Sequence, residues 1–335
     1  MNSTSSRMSD ARFKAGAKLL IVAAIFGFAT ALAQAQSPFR NRTIRIISQF
    51  PAGAVSDIAL RILADRAGAR LGTQIIVQNQ PSAAGVTAAR EALSAPADGA
   101  TLAMLSNATA VSAATYQHMP FDPLTDFVPV SGMSDFAYLF LTGADSSLHT
   151  LQDFLAAARK KPGRLNVGTS ASGTTPYLAA LLFKKVAGID FTVVPYRGAP
   201  DLTVALLRND VDVAINAYGG YREALTEKKL RALATTTASR SAFLPDVPTT
   251  KQAGVANFEV SSWNGIFAPA QTPAPVVDRL ALEMRAALAD PELRQKFLDL
   301  GVEAWPGSAA DLAARMKSEI ARWNKVVDDN AIERQ

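Results

Sequence analysis

Two α/β lobes built on parallel sheets are predicted for this chain by three observations. Short β-branched runs alternate with longer helical stretches from about residue 43 onward, the signature of consecutive βαβ units. The alternation breaks off once and then resumes, so it describes two units. The length of 335 residues suffices for two domains with sizeable cores, at roughly 100 to 200 residues per domain.

Each element follows from its residues. Thr43 to Phe50 (TIRIISQF) reads as a buried strand, and Ser56 to Leu71 as a helix carrying apolar Ile58, Ile62 and Ala69 behind a Ser/Asp start signal. Gln74 to Gln78, Val86 to Ser94 and Thr101 to Leu105 continue as strand, helix and strand. The helix Leu151 to Lys161 is stopped by Pro162-Gly163. After it come strand Leu165 to Gly168, helix Pro176 to Val186, strand Phe191 to Pro195, helix Ala199 to Arg208 and strand Val211 to Ile215. From Pro275 the pattern is helical, with Val276, Leu280, Met284 and Leu288 on one face, then Pro291 to Leu300 and Ala309 to Val327.

Two apolar, extended segments, Phe136 to Leu141 and Phe258 to Phe267, bracket the second unit. The chain would leave the first lobe once and return once, through two antiparallel connecting strands above a cleft. Residues 36–138 and 262–335 then form lobe 1 and residues 139–261 lobe 2. That is the architecture of a bilobal solute receptor, in which contacts from both lobes favour closure about a hinge.

Composition narrows the chemistry. With no cysteine there is no thiolate nucleophile, Cys-ligated zinc or disulfide, and the two histidines, His118 and His149, lie in polar connections without metal-ligand spacing and read as surface residues. The net charge of +5 and pI near 9.4 would suggest an anionic macromolecular partner. However, Arg7, Arg12, Lys14 and Lys18 precede the apolar run Leu19 to Ala33, which is followed by Ala31-Leu32-Ala33 and Ala33-Gln34-Ala35. This is the order of a cleaved secretory signal, residues 1–35, with cleavage near residue 33 or 35; the competing reading, an uncleaved anchor, needs a longer and more apolar run. Removing the segment leaves 30 Lys+Arg against 28 Asp+Glu, a net charge of +2, and no basic run with interleaved aromatics. Nucleic-acid binding is therefore not expected. A cysteine-free exported chain suits the periplasm.

The loops from strand ends to helix starts carry the candidate chemistry. In Phe50-Pro51-Ala52-Gly53-Ala54-Val55-Ser56-Asp57, small residues let a ligand approach the backbone, and the helix start offers free N–H donors and partial positive charge. The same residues also fit a plain turn at Gly53 with Ser56 or Asp57 as helix cap. In Gly168-Thr169-Ser170-Ala171-Ser172-Gly173-Thr174-Thr175-Pro176, hydroxyls and N–H groups converge before a helix that Thr175 would cap with Pro176 as first residue. It lacks the Gly-Lys-Ser/Thr ending of a phosphate-binding loop and the second glycine of a nucleophile elbow, and a plain Ser/Gly turn also fits. Tyr196-Arg197-Gly198 offers an aromatic face and a guanidinium suited to a carboxylate or to a salt bridge. Trp263 either walls the cleft or fills the core.

Phe50-Pro51-Ala52-Gly53 with Asp57, Gln78-Asn79-Gln80-Pro81, Asp98-Gly99, Pro120-Phe121-Asp122-Pro123 with Asp126-Phe127, and Val194-Pro195-Tyr196-Arg197-Gly198 occur here in an order that resembles the Bug receptors. These are the substrate-binding proteins of tripartite tricarboxylate transporters, and the resemblance runs from about Arg42 to about Val327. It implies a periplasmic type II binding-protein fold, non-enzymatic, holding a small organic carboxylate between its lobes. It also implies that the loops at 50–57 and 168–175 clamp that carboxylate. The expected ligand-binding residues are Phe50, Ala52, Gly53, Ala54, Ser56, Asp57, Thr169, Ser170, Ser172, Gly173, Thr174, Tyr196, Arg197 and Asn216. Several positions depart from the family pattern: Ala54 replaces a glycine, Ser82-Ala83-Ala84-Gly85 a glycine-rich stretch, Tyr177 a histidine and Asn216 an acid. Each adds bulk or alters charge near the expected pocket. No cofactor or metal is expected, the partners are an organic acid and membrane transporter subunits, and the protein is expected to be a monomer. A sensor signalling to a membrane partner, or a hydrolase using Ser170 or Ser172 on the same scaffold, are the alternatives.

Overall fold

A computed structural model describes residue 39 and residues 42–81 and 85–334. The signal segment expected at residues 1–35 lies outside them, as does the Ser82–Ala84 stretch. Contacts separate Met1–Arg42 from Thr43–Gln335, and the fold is that of the second unit.

The first half winds as expected. Strand β1 (Ile44–Ser48) is followed by helix α1 (Val55–Leu71), β2 (Ile75–Asn79), α2 (Val86–Ser94), β3 (Thr101–Ser106) and α3 (Asn107–Thr115). The residues of β1 and β3 are almost continuously buried, as in a parallel sheet covered on both faces. β1 pairs in parallel with both β2 and β3.

The chain then crosses to the second half along β4 (Phe127–Gly143), which is longer than the expected extended segment. There α4 (Leu151–Lys160), β5 (Asn166–Ser170), α5 (Thr175–Ala187), β6 (Thr192–Tyr196), α6 (Ala199–Leu207) and β7 (Val213–Ala217) repeat the pattern. A short helix α7 (Arg222–Thr226) and β8 (Leu230–Thr235) complete it before β9 (Ser261–Pro269) returns. Helices α8 (Ala274–Leu288), α9 (Pro291–Asp299) and α10 (Ala309–Asp329) close the fold, with the two-residue strand β10 (Glu303–Ala304) pairing β4.

One continuous sheet runs β2-β1-β3-β9-β4-β7-β5-β6, and β8 also pairs β4. Its first half reads β2-β1-β3-β9-β4 and its second β6-β5-β7-β4-β8, so each half has one strand of opposite direction inserted next to last. The two connecting strands are antiparallel to one another from Phe127–Pro269 to Ala137–Ser261, as the sequence predicts. The mixed α/β architecture therefore agrees with the predicted fold class. Buried Phe140, Phe154, Phe183, Phe191 and Phe258 pack ring on ring in the second half, and Phe121, Phe127 and Phe267 in the first.

Candidate functional site

Each half presents a loop where a parallel strand ends and a helix begins. In the first, Phe50 to Ala54 turn from β1 into α1, with the Ala54 N–H donating to the Pro51 carbonyl at 3.2 Å. Gly53 has φ +81, the left-handed region a side chain would resist. The helix cap is Ala54, without a side-chain cap bond, rather than Ser56 or Asp57. Asp57 instead reaches backward and accepts from the Gly53 N–H at 2.9 Å, Arg61 Nε at 3.1 Å and Asn79 Nδ2 at 2.7 Å. Asn79 also donates to the Phe50 carbonyl at 3.0 Å and accepts from Arg61 at 2.8 Å. Burial alone would raise the Asp57 carboxyl, but the bonds from Arg61, Asn79 and Gly53 outweigh it and hold the group below the usual carboxylate range.

These contacts divide the predicted residues by role. Asp57 and Ser56 are buried, and Ser56 accepts from Asn264 at 3.2 Å, which also donates to Ser134 at 3.0 Å. They brace the loop. Ala52 and Gly53 are exposed at its tip, with Phe50 and Ala54 half-buried beside them. Among the described residues, the N–H groups of Val55, Ser56 and Asp57 have no acceptor, so the positive end of the 17-residue α1 opens beneath the loop.

The second loop repeats this device with hydroxyls. Thr174, not Thr175, is the cap residue of α5, and Pro176 is the second helical residue. Thr174 Oγ1 donates to the Ala171 carbonyl at 2.6 Å, whereas the Thr175 hydroxyl is drawn sideways to accept from Asn107 Nδ2 at 2.6 Å. Thr169 is buried and turned to the Ser170 carbonyl at 2.9 Å; Ser172 is exposed, Gly173 half-buried, and the Ser172 and Gly173 N–H groups lack acceptors among the described residues. Asn216, at the end of β7, donates to Ser170 Oγ at 2.9 Å and Tyr221 Oη at 3.1 Å.

Tyr196 is half-buried at the end of β6, and burial, reinforced by Asp210, pushes its phenol up. Arg197 is exposed and has no ion-pair partner among the described residues. No hydrogen bond joins the two loops among the described residues. Asn107, which opens α3, ties α5 to the two connecting strands: it donates to Thr175 at 2.6 Å and to Tyr138 Oη at 3.4 Å, and accepts from Ser262 at 2.6 Å. Sequence reasoning missed Asn107, Tyr221, Ser262 and Asn264; an asparagine at the end of a buried strand was the one available signal. Trp263 is fully buried and belongs to the core, and both histidines are exposed.

A cavity of about 620 Å³ lies elsewhere, lined by Asp135, Glu303, Trp305, Arg315 and Glu319 among others, and none of the predicted ligand residues borders it. Ser134 and Asn264 face Ser56, whereas their neighbours Asp135 and Trp263 project to the other face of the β4–β9 ribbon. Among the described residues no cluster of His, Asp or Glu is placed to hold a metal, and no helix is long and apolar enough to cross a membrane.

Each half thus offers one strand-to-helix loop with open N–H donors at a helix start. Residues 59–332 match the family described as tripartite tricarboxylate transporter family receptor. A UPF0065 protein from the tcbD-tcbE intergenic region of a Pseudomonas strain is 33% identical over 296 residues, covering 88% of both chains. Among solved structures, an R. palustris protein with adipate is 30% identical with a TM-score of 0.71, over 86% of this chain and 97% of that one. MatC from Rhodopseudomonas palustris with bound malate is 29% identical with a TM-score of 0.68, over 86% and 99%. The matched family is one of receptors rather than enzymes, and the periplasmic binding protein BugD shares the fold at 25% identity and a TM-score of 0.69, over 88% of this chain and 99% of that one. The chain belongs to the tripartite tricarboxylate transporter receptor family.

Proposed function

We propose that this protein is a periplasmic receptor that holds a small organic carboxylate between two lobes, residues 36–138 with 262–335 and residues 139–261, and delivers it to a tripartite tricarboxylate-type membrane transporter. The observation that carries the reading is the pair of strand-to-helix loops, Phe50–Asp57 and Thr169–Thr174, each with open N–H donors at a helix start in its own half of the sheet. A carboxylate held by both would bridge the halves and favour closure. Related structures carry adipate and malate, which supports the choice of ligand class. Export follows from the signal-like residues 1–35, and the mass of the protein recovered from a periplasmic extract would show the cut near residue 33 or 35.

The test is a thermal-shift screen of the purified mature protein against mono- and dicarboxylates. A ligand that binds the folded state alone at about 100 times its Kd adds about 2.7 kcal/mol, enough for a melting shift of several degrees. Absence of any shift across the panel, with protein shown to be ligand-free, overturns the reading.

A further inference from the structure

We propose that Arg159, Lys160, Lys161 and Arg164, beside the last turn of α5, form a docking surface for the anionic headgroups of a phospholipid bilayer. The surface is separate from the ligand loops, and its test is read without ligand. All four cations are exposed, and none of them has an ion-pair partner or a side-chain acceptor among the described residues. The two lysines that end α5 lie next to them but are already balanced, Lys184 by Asp190 at 2.7 Å and Lys185 by Asp329 at 2.6 Å. The run therefore carries the surplus. Residues 36–335 sum to +2, and without these four cations they would sum to −2.

The fold holds this charge in one place. After α4 ends at Lys160, Pro162-Gly163 turns the chain; the Gly163 N–H donates to the Asp190 carbonyl at 3.2 Å and the Thr192 hydroxyl to the Gly163 carbonyl at 3.3 Å, which pins the turn against the start of β6. Cations at a helix carboxyl end offset the helix dipole, and that accounts for Arg159 and Lys160. Lys161 and Arg164 lie past the helix, where the dipole effect has faded. A depression of about 440 Å³ between the run and the end of α5 is lined by Arg159, Lys184, Lys185, Pro162 and Ile189 among others, so a phosphate headgroup would meet cations beside a short apolar wall. A bilayer suits this end better than an acidic protein segment does. Cations on flexible stems set no fixed partners for reading a peptide, yet each adds to the attraction of a charged plane, about fivefold in partition per cation. The matched family is also named for a transporter, which places an anionic bilayer within reach of its receptors. α5 runs 13 residues from the second loop to this end, roughly 20 Å, so lipid there leaves the loops open.

The experiment is co-sedimentation of the mature protein with vesicles of equal parts phosphatidylglycerol and phosphatidylcholine, and with phosphatidylcholine alone, at low salt. The protein should partition onto the mixed vesicles only, and the binding should fade as salt rises. A variant carrying Arg159→Gln, Lys160→Gln, Lys161→Gln and Arg164→Gln should lose about 100-fold or more in partition. A control carrying Arg90→Gln, Lys251→Gln, Arg294→Gln and Lys317→Gln changes the net charge equally at four exposed cations elsewhere. It should lose about threefold at most, because those charges lie off the docking end. All eight positions are exposed, so both variants should melt near the wild type, and this is checked first. Equal binding to phosphatidylcholine alone, no binding of the wild type to the mixed vesicles, or equal losses in the two variants overturns the docking surface. Capture of the wild type by an immobilised octaglutamate peptide without capture by the vesicles also overturns it, and makes the partner an acidic protein segment instead. None of these outcomes bears on the carboxylate screen, whose failure would leave the docking surface standing.

Discussion

Asp57 shows how one side chain can set a loop. It gathers a backbone N–H, a carboxamide and a guanidinium, so its loss strands Asn79 and Gly53 together. Asp57→Ala should cost about 1–3 kcal/mol in urea unfolding, the range for leaving buried partners unsatisfied, and should weaken carboxylate binding through the loosened tip. The pH dependence follows from the depressed carboxyl. The stabilisation is full above the unfolded Asp value of about 3.9 and is lost as pH falls below it through the folded value. Asp57→Asn should therefore lie below wild type at neutral pH, and the gap should narrow in acid; a gap constant from pH 7 to about pH 3 would count against the ionised network. Asn107 makes a second residue-scale case. Its amide serves Thr175, Tyr138 and Ser262 at once, all buried or half-buried, and Asn107→Ala should cost about 1–3 kcal/mol in the same assay.

At the scale of elements, the connecting strands depend on a close approach. Gly132 lies in β4 where the chain after α9 folds back: its N–H donates to the Gly307 carbonyl at 2.9 Å, and the Trp305 N–H donates to the Met133 carbonyl at 3.0 Å. A Cβ at Gly132 would sit 2.7 Å from both the Trp305 ring and its backbone oxygen, and the backbone oxygen has nowhere to go. Gly132→Ala should thus destabilise by about 1–3 kcal/mol, while Gly219→Ala, with nothing within 4 Å of its Cβ, should stay within about 0.5 kcal/mol of wild type. Element identity was legible wherever burial imposed a period. β1, α2, α5 and α10 lie within about two residues of their expected bounds because continuous apolar runs and 3.6-residue spacing leave little choice. Helix α3 (NATAVSAAT) escaped notice because small and β-branched residues blur its periodicity, and its start depends on the Ser106–Thr109 capping box rather than on a face. The bracing of the loops was illegible for a different reason: Asn79 and Asn264 act across 22 and 208 positions of sequence, and no local pattern encodes which hydroxyl or carboxylate an amide will meet.

The whole molecule is closed by its last helix, and this makes a prediction about cooperativity. α10 follows the first-half helices in the chain, yet it reaches elements of both halves. Arg315 donates to Asp135 of β4 and Ser261 of β9 at 2.6 Å each, Arg322 donates to the Glu259 carbonyl at 2.9 Å, and Lys185 of α5 pairs with Asp329 at 2.6 Å. Beneath these polar ties Leu312, Met316, Trp323 and Val327 are buried in one apolar cluster with Phe140 and Phe183 of the second half and Ala110 and Ala114 of the first. The exposed pair Lys185–Asp329 contributes little by itself, since solvent screens it. The buried apolar surface carries the coupling, as it cannot be lost from one half without opening the other. Trp323→Ala should therefore cost about 3–5 kcal/mol and leave unfolding as a single transition in which fluorescence, weighted to the tryptophans near the ribbon, and far-ultraviolet dichroism coincide. Were the halves independent units joined only by a hinge, the same substitution would separate the two signals, with the second half melting at its original midpoint. Ligand should raise both signals together in the wild type, because a carboxylate held, as proposed, by loops of both halves would stabilise the same cooperative unit that α10 ties together.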